Sequence, residues 1–465
     1  MPKMTTTWQR ILQLGGCLLV CSSSSSSYVC AFTNPRRTRL ANNYNHHHHQ
    51  LEMTRDTTYY SPSKAGSATP TTGATTGGSL PSAEQRITLT RFLNSKVKKN
   101  PELRDLEFLL SIQMACKTIS NLVNRCGLVY ASGSDDYGLK QYPPEDGRFY
   151  SMKRLDQLST NVLKNALRFT GKCEVVTPAP QSDAEAPAQH QPGVLVASAY
   201  DSNYVAILDP LDGSGNADAA ICTGTIFGVF ENKNEDGEGD DGAGGSDDDG
   251  VDNVVIGGSD SSPDVLLDTV LQKASNMRAA GYCLYSSATV LVFTLGEGCV
   301  YGFTLDPQTK EFVLTHNNLT IPQRGNVYSC NEANSEGWAD DIREYLKALK
   351  TGDNQTKRRY AHRYVGSMVG DIHRTLLYGG VFMYPSDTVD HPQGNLQLLY
   401  KSAPIAFVVS QAGGKSVDET GTNLLDIQPE RVHQKSPCFI GSRDDVDELQ
   451  QYLNKLQEKA ADKEE

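Results

Sequence analysis

Asp209 and Asp212 stand three residues apart, and Gly213, Ser214 and Gly215 follow directly. Two carboxylates spaced this way on one turn can face a common point, and such hard oxygen ligands suit a cation like Mg²⁺. The backbone N–H groups of a glycine-rich turn form a nest that holds an anion. Together they suit a Mg²⁺ that shares a phosphate, and the chemistry is metal-assisted phosphoryl transfer to water. A plain Asp-Pro/Asp-Gly turn without metal is the alternative for any single such pair. The full run Asp-Pro-Leu-Asp-Gly-Ser at 209–214, followed by Gly-Thr-Ile-Phe-Gly at 224–228, favours the site.

These residues need an element to present them. The apolar run 204–208 reads as a buried strand that stops at Asp209-Pro210, because proline cannot donate to a ladder. Residues 87–93 open a helix, 106–122 continue with apolar residues at helical spacing, and a helix carrying Asp156 reaches through Leu167. Residues 265–277 read as helical. Strands follow through Tyr282, 290–295, 300–305 and 312–315, completing an α/β domain. A second domain begins near Ile321-Pro322, with a helix at 345–349 and a strand–helix–strand stretch through Ile440.

The 209–214 segment resembles the metal-dependent sugar phosphatases, specifically the class 1 fructose-1,6-bisphosphatase family. Further matches are Ala-Gly-Tyr-Cys-Leu-Tyr-Ser-Ser at 280–287, Arg-Tyr-Val-Gly-Ser-Met-Val at 363–369, His-Arg-Thr-Leu-Leu-Tyr-Gly-Gly at 373–380 and Asp-Ile-Gln-Pro at 426–429, in the family's order. The resemblance implies an α/β fold, layered αβαβα, in two domains: 84–318 for metal and phosphate, and 319–456 for substrate, ahead of a charged tail at 457–465. It implies hydrolysis of fructose-1,6-bisphosphate to fructose 6-phosphate and phosphate, with Mg²⁺ as cofactor and a homo-oligomer, expected to be a tetramer. Carried over residue by residue, Asp156, Asp209 and Asp212 are catalytic. Asp209, Leu211 and Asp212 are metal ligands. Asp212, Gly213, Ser214, Asn331, Arg363, Tyr364 and Tyr384 bind substrate, with Arg363 reaching into a neighbouring subunit's site.

Four departures bear on that chemistry. The family's Ser-Glu-Glu, source of two metal carboxylates, is replaced at 175–180 by Val-Val-Thr-Pro-Ala-Pro. Asp183 and Glu185 follow in a proline-rich stretch that reads as solvated loop. An upstream family acid falls at Tyr150. The family's Gly-Lys-Leu-Arg-Leu-Leu-Tyr-Glu reads Gly-Asn-Leu-Gln-Leu-Leu-Tyr-Lys at 394–401, so two phosphate-binding cations become the amides Asn395 and Gln397, and a metal carboxylate becomes the amine Lys401. An ammonium repels the cation that a carboxylate holds, so the Mg²⁺ site is expected to be weakened. Lys401 has two readings, a stand-in that contacts phosphate directly or a surface lysine with a snorkelling stem. Three functions therefore stay open: a working fructose-1,6-bisphosphatase, a catalytically impaired homologue that binds sugar phosphate or serves as a regulatory subunit, and a phosphatase for another phosphorylated sugar.

The 465 residues carry a net charge of −12, which argues against non-specific nucleic-acid binding. Residues 8–31 read as a signal segment, with an apolar region too short to span a membrane, and 32–39 are basic and hydroxylated as in transit peptides. This signal-then-transit order resembles the two-part presequence of plastids derived from a secondary endosymbiont, so a plastid address and no stable membrane association are expected. Residues 1–83 read as presequence and disordered linker, and 231–264 as an acidic disordered insertion. Of the eleven cysteines, Cys17, Cys21 and Cys30 fall in the presequence, and the others lack C-x-x-C spacing and read as buried free thiols. The insertion holds none of them, so thioredoxin control through that loop is not expected.

Overall fold

A computed structural model of the protein describes residues 86–100, 108–126, 149–168, 173–177, 194–196, 204–231 and 271–464, all within one compact unit, Ser79–Glu465. The presequence, the acidic insertion beyond Glu231, Asp183, Glu185 and the side chain of Tyr150 lie outside the described residues.

Three helices come first. α1 (Leu89–Lys99) starts where the Thr88 hydroxyl accepts from the N–H of Arg91. α2 (Leu109–Asn124) and α3 (Phe149–Arg168) follow. Eight strands then form one sheet: β1 (Cys173–Thr177), β2 (Val194–Val196), β3 (Tyr204–Asp212), β4 (Thr223–Glu231), β5 (Ala279–Tyr285), β6 (Thr289–Thr294), β7 (Val300–Leu305) and β8 (Phe312–Asn317). Their order is β2-β1-β3-β4-β5-β6-β7-β8, with β1 parallel to β3 and an antiparallel meander from β3 to β8.

The C-terminal part builds a second, five-stranded sheet. In chain order it holds β9 (Val327–Ser329), α4 (Asp340–Thr351), β10 (Ala361–His362), α5 (Met368–Tyr378), β11 (Val381–Tyr384), β12 (Leu396–Gln397), α6 (Ala403–Gln411), β13 (Lys415–Val417), β14 (Lys435–Ser436), β15 (Cys438–Gly441) and α7 (Arg443–Glu464). The sheet order is β10-β9-β11-β15-β13, and β12 pairs with β14 as a separate ribbon.

Burial shows the layering. Tyr204, Ala206 and Leu208 of β3 pack with Leu89, Ile112 and Leu163 of the first three helices, whereas Val205 and Ile207 pack with Ile372 of α5 and Val408 of α6. Phe382 and Ile440 of the second sheet close that middle layer from the other side, and Met383 and Phe439 face Leu346 of α4 and Leu449 of α7. The stack is thus αβαβα, as the resemblance implies. Because β3 is covered on both faces, its sequence reads as an unbroken apolar run rather than an alternating one.

Two expectations need correction. β3 does not stop at Pro210 but continues to Asp212. Of the helix expected over 265–277, the described part holds only a 3₁₀ turn, Ala274–Asn276. There Ser275 N–H donates to Leu425 O (3.0 Å) and Arg278 N–H to Val229 O (2.8 Å), so tertiary backbone bonds replace helical ones.

Candidate active site

In a regular strand residues three apart point to opposite faces, so Asp209 and Asp212 need a break in the pleat to meet. The register supplies it: Asp209 faces Ile226 and Asp212 faces Gly224, so β3 advances three residues while β4 advances two. Pro210, which has no N–H to offer, sits inside this bulge, and its carbonyl accepts from the Thr225 hydroxyl at 2.8 Å. Leu211 is buried between the two acids, so only its main chain can serve a ligand.

Gly213 follows with φ of 68°, and a Cβ there would lie 2.8 Å from Ser367 Cβ, so both the turn and the approach of α5 require glycine. It opens a 3₁₀ turn, Ser214–Ala219, whose first N–H groups have no partner within the turn. The Asp212 carboxylate receives the Ser367 hydroxyl at 3.1 Å and the Val369 N–H at 3.2 Å, and so sits at the positive end of α5. Asp156 of α3 reaches the same place and accepts from the Ser214 hydroxyl. Burial pushes its carboxyl up to about 6, with Asp209 adding to the rise and Ser214 and Lys401 opposing it.

At the centre stands Lys401. It lies in a single π-helical turn, Leu398–Ser402, that leads into α6. Its Nζ is 2.9 Å from Asp209 Oδ2 and 3.1 Å from Asp212 Oδ1, with only 19% of the side chain exposed. The surface-lysine reading is therefore corrected: the ammonium is an internal counterion. Burial pulls against that charge, but the two carboxylates outweigh it and hold Lys401 above the ordinary lysine pKa. Burial likewise pushes Asp209 up against the pull of Lys401. The 2.9 Å contact decides for the ionised pair.

The same geometry tests the site for a divalent cation. Asp209 Oδ2 is buried, as a metal ligand would be, yet its near neighbour is an ammonium. The cradle between Asp209 and Asp212 is filled by Lys401 Nζ, so in this arrangement the residues do not fit Mg²⁺. β1, near whose end the resemblance implies two Glu residues, runs beside this point, with Val176 opposite Ile207.

A second group of expected residues gathers in a cleft lined by Asn331, Asn334, Trp338, Tyr384 and Pro385. Tyr364 belongs to both groups, because burial first, then Tyr384, and to a lesser degree Asp212, raise its phenol above the ordinary tyrosine value. Arg363 does not join them: it is exposed and donates to His362 O at 2.8 Å. Its segment is fixed by Asp371 of α5, which accepts from Val365 N–H (3.1 Å) and Gly366 N–H (3.3 Å), and by Arg374, which donates to Arg363 O (2.9 Å).

Sequence reasoning passed over Lys435. The β12–β14 ribbon sets Lys435 opposite Gln397, and its Nζ donates to Asn395 Oδ1 at 3.3 Å while Asn395 Nδ2 donates to the Tyr384 hydroxyl at 3.2 Å. A cation thus stands beside Asn395 and Gln397, the two positions where the resemblance implies cations. Pairing of two-residue strands leaves no periodic signal, and only the basic residue after His433-Gln434 marks the place.

Comparison with known proteins follows the same division. Residues 87–317 match the fructose-1-6-bisphosphatase N-terminal domain and residues 321–454 its C-terminal domain, together more than half of the chain. The chain is 41% identical over 367 residues to fructose-1,6-bisphosphatase 1, chloroplastic, of Arabidopsis thaliana, covering 79% of this chain and 80% of that one. It is 40% identical over 368 residues to the chloroplastic fructose-1,6-bisphosphatase of Pisum sativum, covering 79% and 83%. Among solved structures, Leishmania major fructose-1,6-bisphosphatase in holo form superposes with a TM-score of 0.62 at 33% identity, over 79% of this chain and 99% of that one.

Proposed function

We propose, from the premise that this chain belongs to the fructose-1,6-bisphosphatase family, that it hydrolyses the 1-phosphate ester of fructose-1,6-bisphosphate and does so slowly. Members of this family generally use a divalent metal such as Mg²⁺ and are generally tetramers. The observation that carries the reading is the convergence of Asp156, Asp209 and Asp212 on one point beside the 213–215 turn, with Lys401 at that point.

The reacting phosphate lies against the N–H groups of residues 213–215, and Lys401 supplies positive charge to its oxygens. Asp156, whose carboxyl titrates at about 6, takes a proton from the attacking water. The bond formed is from water oxygen to phosphorus. The bond broken is from phosphorus to the sugar oxygen, which leaves with a solvent proton. Lys401 keeps its proton throughout and acts by charge alone. It cannot generate a nucleophile by acidifying a bound water as a metal does, which is why the rate is low.

Residues 84–318, joined by Lys401 from the second part, supply this reacting end, and 319–456 supply the distal one. There Asn331, Tyr364 and Tyr384 hold the second phosphate, Arg363 enters from a neighbouring subunit, and Lys435 replaces the cations missing at Asn395 and Gln397. Mg²⁺ binds only weakly, by displacing Lys401. The chloroplastic relatives and the presequence support a plastid location.

A second reading, a sugar-phosphate-binding or regulatory subunit, is favoured by Lys401 alone, because an internal cation neutralises the metal cradle. The purified chain, given fructose-1,6-bisphosphate, should release phosphate and fructose 6-phosphate above the level of Asp209→Asn. Tight binding with no release above that variant would support the second reading instead.

A further inference from the structure

Next to Asn331 and Arg363 in the sequence, three side chains given no role above come together. Cys330 follows β9, Glu332 opens the 3₁₀ turn Glu332–Gly337, and His362 ends β10, which runs parallel to β9. The thiol, the carboxylate and an imidazole nitrogen all lie within 4.8 Å of one another, the one such group among the described residues.

The hydrogen bonding assigns the histidine's lone pair. His362 Nε2 lies 2.9 Å from Cys330 O, and since a carbonyl only accepts, Nε2 carries the proton. In the neutral ring Nδ1 is then an acceptor, yet it faces Glu332 Oε1 at 3.9 Å, too far for a hydrogen bond. A lone pair that faces a carboxylate at this distance leaves room for a cation between them, a proton or a metal ion. Cys330 is fully buried, and burial first, then Glu332, pushes its thiol up.

The supports of a metal centre are also in place. A metal-bound histidine almost always donates its other N–H to a carbonyl or carboxylate, which is what Nε2 does. Glu332 is held by the Tyr328 hydroxyl at 2.6 Å on Oε1 and by Lys350 Nζ at 2.7 Å on Oε2, and the Tyr328 ring stacks on His362 at 5.0 Å. Ligand bonds of about 2.0–2.3 Å in a tetrahedron set ligand atoms roughly 3.3–3.8 Å apart, within a small side-chain adjustment of the spacing seen.

We propose that Cys330 Sγ, Glu332 Oε1 and His362 Nδ1 form a three-ligand site for a borderline-soft divalent cation of the zinc type, with water as the fourth ligand. Binding breaks the S–H bond, forms the S–metal bond and releases the proton to solvent. Mg²⁺ is excluded by ligand type, since it takes oxygen donors. Lys350 opposes the cation but bonds the far carboxylate oxygen, so it weakens the site without blocking it. Asn331 lies between two of the ligands and Arg363 directly follows the third, so occupancy ties both substrate residues to one fixed point.

The test is titration of the reduced, purified full-length chain with cobalt(II), reading the thiolate-to-metal charge-transfer absorption. One equivalent should develop the band, zinc should abolish it, and excess Mg²⁺ should leave it intact. His362→Gln, a change at a partly exposed position, should weaken cobalt binding by more than the roughly 10- to 100-fold that loss of an outer-shell partner alone brings. Cys330→Ser should remove the band, and Lys350→Met should tighten binding. Absence of a band would overturn the proposal. So would a band unchanged in His362→Gln and Cys330→Ser, which would place the metal on another thiol such as Cys222.

Discussion

Lys401 decides the chemistry at the scale of a residue. Two buried carboxylates share one ammonium, and removing one partner of such a group typically costs about 3–5 kcal/mol. Lys401→Met should therefore lower the melting temperature in metal-free buffer, and Mg²⁺ should restore part of the loss by binding only the folded state. An unchanged melting temperature, or no response to Mg²⁺, would count against the counterion role. His373 provides a pH signature. Burial, aided by His316, lowers its pKa from 6.5 to about 4, and its Nδ1 lies 2.9 Å from the Tyr282 hydroxyl. The unfolded chain binds the extra proton between those values, so stability is present above pH 6.5 and is lost as pH falls towards 4, by up to about 1.4 kcal/mol per unit. His373→Gln should flatten that slope in urea unfolding from pH 4 to 6.5. A slope equal to that of the parent would mean that another group dominates. Individual residues were largely legible, because Asp209, Asp212 and Asp156 sit in recognisable strings. Lys401 was legible as an amine but not as a buried one, since only the fold brings it to the acids.

At the scale of elements the site depends on a bulge and a close helix approach. A Cβ at Gly224 would lie 2.6 Å from Val369 Cγ1, in the first turn of α5, whose N-terminus holds Asp212. Gly224→Ala should therefore force α5 outward, with a cost of about 1–3 kcal/mol from overpacking and a further loss of phosphate release. Denaturant midpoints for the parent and the variant measure this, and equal midpoints would contradict the packing argument. Of the large sheet, β3 and β5 to β8 could be read from their apolar runs, as most helices could from their period, whereas the short β1 and β2 and the glycine-interrupted β4 were not read as strands. The true end of β3 could not be read, because a proline argues for termination unless a bulge excuses its missing N–H. The 3₁₀ turn at 274–276 was hidden for a related reason: its backbone bonds go to residues far away in sequence.

For the whole molecule, the αβαβα order was legible through family resemblance, whereas composition carries no information on layer order. On the proposed function, an acidic protein of net charge −12 must concentrate cations locally to hold a sugar bisphosphate, and Lys401, Lys435 and a neighbour's Arg363 would supply them. A tetrameric mass in light scattering at micromolar concentration is expected, and a monomer would remove Arg363 from the site. The central claim, that an internal ammonium has taken the place of a divalent cation, is tested most directly by phosphate release from fructose-1,6-bisphosphate across a Mg²⁺ series from none to excess. The account predicts a turnover far below the ordinary enzymatic value of about ten per second, changing little along the series. A rate that climbs from nothing to that ordinary value as Mg²⁺ is added would contradict it.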